Sequence, residues 1–147
     1  MGRKKSEHMA ECSVTALGQE VPIIHIPEEY RRAAAESIRE ALARLRSDVA
    51  GLWGIYITCK KMVRAGFPRH IIKNLYVKAA QPVIQKLNDD IDFLRNMLLD
   101  YNAQKSDVDR WIRKFSRTVE VAQRTGKWEK PFAYLEAAWH TITESLL

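Results

Sequence analysis

PEEYRRAAAESIREALARLRSDVAGLWGIYITCKKMVRAG, running from Pro27 to Gly66, decides the fold. Its apolar residues fall at Tyr30, Ala34, Ile38, Leu42, Leu45, Val49, Leu52, Tyr56, Cys59 and Val63. Each follows the last by three or four positions, the spacing of one face of an α-helix. Pro27 suits a first helical turn, and Glu28 and Glu29 complement the positive end of the helix. Gly51 and Gly54 are poor helix formers, yet the stripe passes through them in phase. The spacing therefore predicts one long helix, bent at the glycines or closely approached there by a neighbour. At 1.5 Å per residue it would reach roughly 55 Å before Gly66 and Pro68 end it.

Three more stripes follow. Ile72, Leu75, Ala79, Val83, Leu87, Ile91, Leu94, Leu98 and Tyr101 make a second long face, interrupted by Pro82. A proline inside a helix removes one hydrogen bond and clashes a turn back, so a kink or break is expected near Gln81. Ser106, with Asp107 and Asp109 behind it, has the character of a helix start. The third face is Val108, Trp111, Ile112, Phe115, Val119 and Ala122, stopped by Gly126. Pro131 opens a fourth helix, with Phe132, Leu135, Trp139, Ile142 and Leu146 on its face and Trp128 one turn upstream.

No strand alternation or internal repeat is evident. The expected fold is all-α: an antiparallel bundle of four main helices, the first two long and the last two shorter. Residues 27–147 form that domain. Residues 1–26 form a basic, extended N-terminal arm, in which Val21–Pro27 is expected to run along the bundle and cover part of the core without joining a sheet. The shorter helices would cover only part of the long hairpin, leaving its tip, near residues 60–78, projecting.

Composition narrows the function. A chain of 147 residues with 46% hydrophobic content builds a real core, so general disorder is excluded. The two cysteines, Cys12 and Cys59, form no close pair, which argues against a disulfide framework or a structural zinc site and favours the cytoplasm. No apolar run approaches the roughly 20 residues of a membrane span. Gly2 opens a bare myristoylation pattern beside a basic triplet, but Arg3 directly after the glycine fits that modification poorly.

The charge is unevenly placed. Residues 49–88 contain no Asp or Glu, but hold Lys60, Lys61, Arg64, Arg69, Lys73, Lys78 and Lys86. On the third helix Arg110, Arg113, Lys114, Arg117 and Arg124 fall within roughly 100° of one another, opposite the apolar face. Lys127 and Lys130 extend that strip. Acids gather toward the other end, at Glu28, Glu29, Asp100, Asp107 and Asp109. Lysines near a helix C-terminus also satisfy the helix dipole, and outward faces are commonly charged. Neither explains two stretches with so few acids among the cations. Such one-sign blocks attract polyanions, of which a nucleic-acid backbone is the most available.

Catalytic patterns are sparse. His8, His25, His70 and His140 have no ligand-spaced partners, and no phosphate-cradling glycine loop occurs. Asp89, Asp90 and Asp92 lack the glycine and glutamate of a calcium loop and read as solvent-facing carboxylates. Arg64 and His70, with five residues between them, resemble the Arg-x-(four to six)-His motif of HEPN-class ribonucleases. That motif sits on one helix with a polar residue after the arginine. Here Ala65 follows, and Gly66 and Pro68 break the helix.

The expectation is thus a non-enzymatic protein, without cofactor or metal, that holds a nucleic-acid backbone. Its candidate contacts are Lys60, Lys61, Arg64, Arg69, Lys73 and Lys78, with Arg110, Arg113, Lys114, Arg117, Arg124 and Lys127. By analogy of character it could be a small helical subunit of a nucleoprotein assembly. Phe67, in the turn among the tip cations, is a candidate for stacking on an unpaired base. The alternative is an adaptor that docks proteins through an apolar patch around residues 49–59. Trp53, Ile55 and Ile57, which lie off the first stripe, would carry it.

Overall fold

The computed structural model describes the backbone of residues 13–143 and the side chains of residues 17–140. Gly2 and Cys12, and the side chains of Ile142 and Leu146, lie outside these ranges. Four helices follow a short hairpin: α1 Glu28–Arg64, α2 Arg69–Asp100, α3 Lys105–Thr125 and α4 Glu129–Thr143. The protein is an all-α four-helix bundle, and α1 runs unbroken through Gly51 and Gly54.

The contacts fix an up-down-up-down order. The Tyr101 hydroxyl donates to the Ala33 carbonyl at 3.5 Å, and Lys86 meets Asp48 at 3.1 Å, so α2 runs antiparallel to α1. Arg95 pairs with Asp109 at the far end of α2, while Tyr76 bonds Gln123 nearer its start, so α3 reverses again. Trp128 packs on Tyr56, Phe132 on Trp53, and the Arg39 guanidinium lies over Trp139, so α4 descends along α1. The body therefore covers α1 as far as Tyr56 and α2 as far as Tyr76. Beyond them the hairpin projects by roughly 12 Å, at 1.5 Å per residue.

The core follows the sequence stripes along the body. Ala34, Ile38, Leu42, Leu45, Val49 and Leu52 of α1 are buried against Leu87, Ile91, Leu94 and Leu98 of α2. Val108, Trp111, Phe115, Val119 and Ala122 close it from α3, and Leu135 from α4. The stripes fail in the projection. Val63 is 57% exposed and Leu75 46%, because nothing from α3 or α4 reaches them. On α2 the inward positions before Pro82 are Ile72, Tyr76 and Ala80, not Leu75 and Ala79. The helix continues through Pro82 without a break.

Three local expectations are corrected. The N-terminal segment forms a hairpin, β1 Ser13–Ala16 with β2 Gln19–Pro22, paired antiparallel with Val14 opposite Val21. Leu17 and Gly18 both have positive φ, 49° and 78°, which is the two-residue turn that matches strand twist. Each strand has four residues, too few to show an alternating pattern. Val21, Ile24 and Ile26 are nonetheless buried in the bundle core, as the covering role requires. Second, α3 starts at Lys105 after Gln104, so Ser106 is not its cap. Third, Asp90 is buried and ion-paired, so it is not a solvent-facing carboxylate.

Candidate nucleic-acid interface

α3 presents its cations because its other face is consumed by the core. Arg110, Arg113, Lys114, Ser116, Arg117 and Glu120 border an open depression of about 520 Å³. Arg117 and Lys114 also line a smaller hollow of about 300 Å³ shared with Gln19, Glu20, Lys130 and Tyr134. The strip is partly neutralised. Arg110 pairs with Asp107 at 3.3 Å, one turn back, and Lys114 reaches Glu20 of the hairpin at 3.5 Å. Arg113, Arg117, Arg124 and Lys127 have no ion pair among the described residues. Arg113 and Arg117, one turn apart, are thus the unpaired cations that border this depression, with Glu120 on the same rim.

The hairpin tip is less compensated still. Lys60, Lys61, Arg64, Arg69, Lys73 and Lys78 are all exposed. None has a carboxylate partner among the described residues, since the acid-free stretch supplies none. The Lys60 ammonium stands 5.7 Å from the Tyr56 ring centre, a cation–π contact that leaves its charge available. Lys86 is the exception. It bridges Asp48 at 3.1 Å and Asp90 at 2.9 Å, and both bonds raise its pKa.

The two regions adjoin at the end of α3. Tyr76 donates to Gln123 Oε1 at 3.2 Å, anchoring α3 to the hairpin. Burial raises the Tyr76 pKa there. Gly126, at φ 77°, turns the chain directly over the Tyr56 hydroxyl, where a side chain would collide. Lys60 and Lys73 line the same shallow groove as Gln123, and Arg124 follows at once. The turn after α3 thus meets the hairpin at Tyr56 and Tyr76, nearer its tip than Pro82 and Lys86. The acids Glu28, Glu29, Asp100, Asp107 and Asp109 lie at the opposite end of the bundle, where Arg95 and Arg110 engage two of them.

Other candidates are separated. Arg64 ends α1 and His70 is the second residue of α2, so the two stand on different helices. Phe67 is exposed in the turn between them. Trp53 is 42% exposed and packs at a tilt against Phe132, with 5.5 Å between ring centres. Ile57 is exposed, whereas Ile55 is half-buried on a different side of α1. The three do not form one patch. Cys59 is a half-buried free thiol, and burial pushes its pKa up. Tyr134 escaped the sequence reading. It is fully buried, packs with its ring tilted against Trp111 and Phe115, and donates to the Trp111 carbonyl at 2.8 Å. Among the described residues no His, Cys, Asp and Glu side chains gather as a metal-binding group, and no helix is long and apolar enough to cross a membrane.

No protein-family model matches the chain, and no curated protein or solved structure matches it significantly.

Proposed function

We infer that this protein is a non-enzymatic, helical binder of nucleic-acid backbone, acting as a small cytoplasmic subunit of a larger nucleoprotein assembly. The observation that carries this reading is the unpaired pair Arg113 and Arg117 on the open depression of α3. From there unneutralised charge continues through Arg124 and Lys127 to the acid-free tip. Phosphates would displace counterions along that track, with little reading of base edges. The concave face suits a backbone better than a small ligand, because it is wide, open and bordered by long flexible cations. Negative charge at the other end orients the approach.

The test is a salt-titrated binding assay on short single-stranded and duplex nucleic acids. Affinity should fall steeply with salt for the parent. Arg113→Glu with Arg117→Glu should shallow the logarithmic slope by about 2, since each neutralised phosphate contributes about 0.9. Equal binding by parent and variant would remove the strip as a site.

A second reading, as an adaptor that docks proteins, is favoured by the exposed apolar side chains of the projecting hairpin. Val63, Phe67, Ile71, Leu75 and Val77 face solvent there. Phosphate binding gives no reason for them.

A further inference from the structure

The hairpin of α1 and α2 has two sides in its distal half. One is turned toward α3 at Gln123. The other carries a groove between α1 and α2 of about 530 Å³, lined by Gly51, Gly54, Ile55, Met62, Leu75 and Ala79 among others. The lining is apolar apart from Thr58, whose hydroxyl is turned back onto the Gly54 carbonyl at 3.0 Å. From Gly51 to Met62 the groove runs roughly 17 Å along α1, the length of three helical turns. It begins just past the Asp48–Lys86–Asp90 ion pairs and runs out toward the tip.

Two features say what fits it. The first is charge. Lys61 follows Thr58, and Lys78 follows Leu75, by three residues, so each cation stands beside a lining residue on the same side of its helix. No acid lies anywhere in the hairpin from residue 49 to residue 88. The second is the pair of glycines. A methyl at Gly54 would meet nothing, and one at Gly51 would make only an ordinary contact with Val83. The chain's own packing therefore does not require either glycine, although each costs helix stability. Their bare backbone permits another helix to lie close.

We propose that this groove docks an amphipathic α-helix of a partner protein, apolar on the face it buries and rich in Asp or Glu along its flanks. The apolar face covers Ile55, Met62, Leu75 and Ala79, and the flanking carboxylates meet Lys61 and Lys78. A second copy of this chain is disfavoured because it would bring the same cations against their equals. A nucleic-acid backbone is disfavoured because the lining offers it no cation. The site shares Lys61 and Lys78 with the tip cations but none of its residues with the depression of Arg113 and Arg117, so variants of that pair test the phosphate reading without touching the groove.

The experiment measures binding of two labelled synthetic helical peptides, each of roughly 20 residues, to the full-length protein. One carries leucines on one face and glutamates on the flanks; in the other, lysines replace the glutamates. The glutamate peptide should bind and the lysine peptide should not. Leu75→Glu should weaken binding at least about ten-fold. Thr58→Glu, also at an exposed position, should do the same if Leu75→Glu impairs folding. Lys61→Glu with Lys78→Glu should transfer the preference to the lysine peptide, while Arg113→Glu with Arg117→Glu should leave peptide binding intact. The proposal is overturned if neither peptide binds, if both bind alike, or if the groove variants bind as the parent does. It is equally overturned if the groove variants instead abolish binding to phosphatidylserine vesicles or self-association of the chain.

Discussion

Asp48 brings a carboxyl into the contact between α1 and α2, where it is only 3% exposed. Lys86 donates to one oxygen, and the other meets no donor; when it carries a proton, Asp48 can donate to Asp90. Burial first, then the neighbouring Asp90, push its pKa up from 3.8 to about 6. Asp90 is held low, chiefly by its hydrogen bond with Asp48. The sign for Asp48 is unusual for a carboxylate. The folded state holds its proton more tightly than the unfolded state, so its contribution to stability is greatest at low pH and declines as pH rises from about 4 to about 6. Asp90 acts oppositely, losing stability as pH falls. Asp48→Asn should therefore stabilise the protein at pH 8 by of the order of 1–2 kcal/mol and change little at pH 4.5, read by urea denaturation at both values. At the same scale, Tyr134→Phe removes a buried hydroxyl bond and should cost about 1 kcal/mol by the same assay. Neither feature was legible beforehand. Asp90 stands in a run of acids that reads as solvent-facing, and Tyr134 lies one position from the stripe residue Leu135. A wheel drawn on one helix does not show where a neighbour's carbonyl or ammonium waits.

Helices were the legible elements. Steps of three and four located all four, and the glycines inside α1 did not mislead because the phase continued through them. Phase failed in two ways: Val63 lies past the covering helices, and before Pro82 the inward face of α2 moves by one residue to Tyr76 and Ala80, leaving Leu75 and Ala79 outside. The β-hairpin was missed because four-residue strands carry almost no pattern, although Leu17-Gly18 offered a turn signal. The glycines separate by what surrounds them. Gly54→Ala should raise stability by about 0.5–1 kcal/mol, because the backbone is helical and the space is open. Gly126→Ala should lower it by at least about 1 kcal/mol, because φ is 77° and the added methyl strikes Tyr56. Thermal denaturation of the two variants should move in opposite directions.

At the scale of the molecule, antiparallel packing turns a list of charged residues into a polar rod. The acids of three helix termini share one end, two of them engaged by arginines, and the acid-free hairpin projects from the other. This distribution was visible in the sequence; which cations remain unpaired was not, because Glu20 reaches Lys114 from an unforeseen hairpin. We propose that Arg113, Arg117 and the cations leading to the tip form a track for phosphates. Its most direct test is the salt dependence of nucleic-acid affinity for the parent and for Arg113→Glu with Arg117→Glu, with folding checked by circular dichroism. The parent should show a steep slope, and the variant one shallower by about 2. A parent without salt-dependent binding, or a folded variant with an unchanged slope, would contradict the proposal.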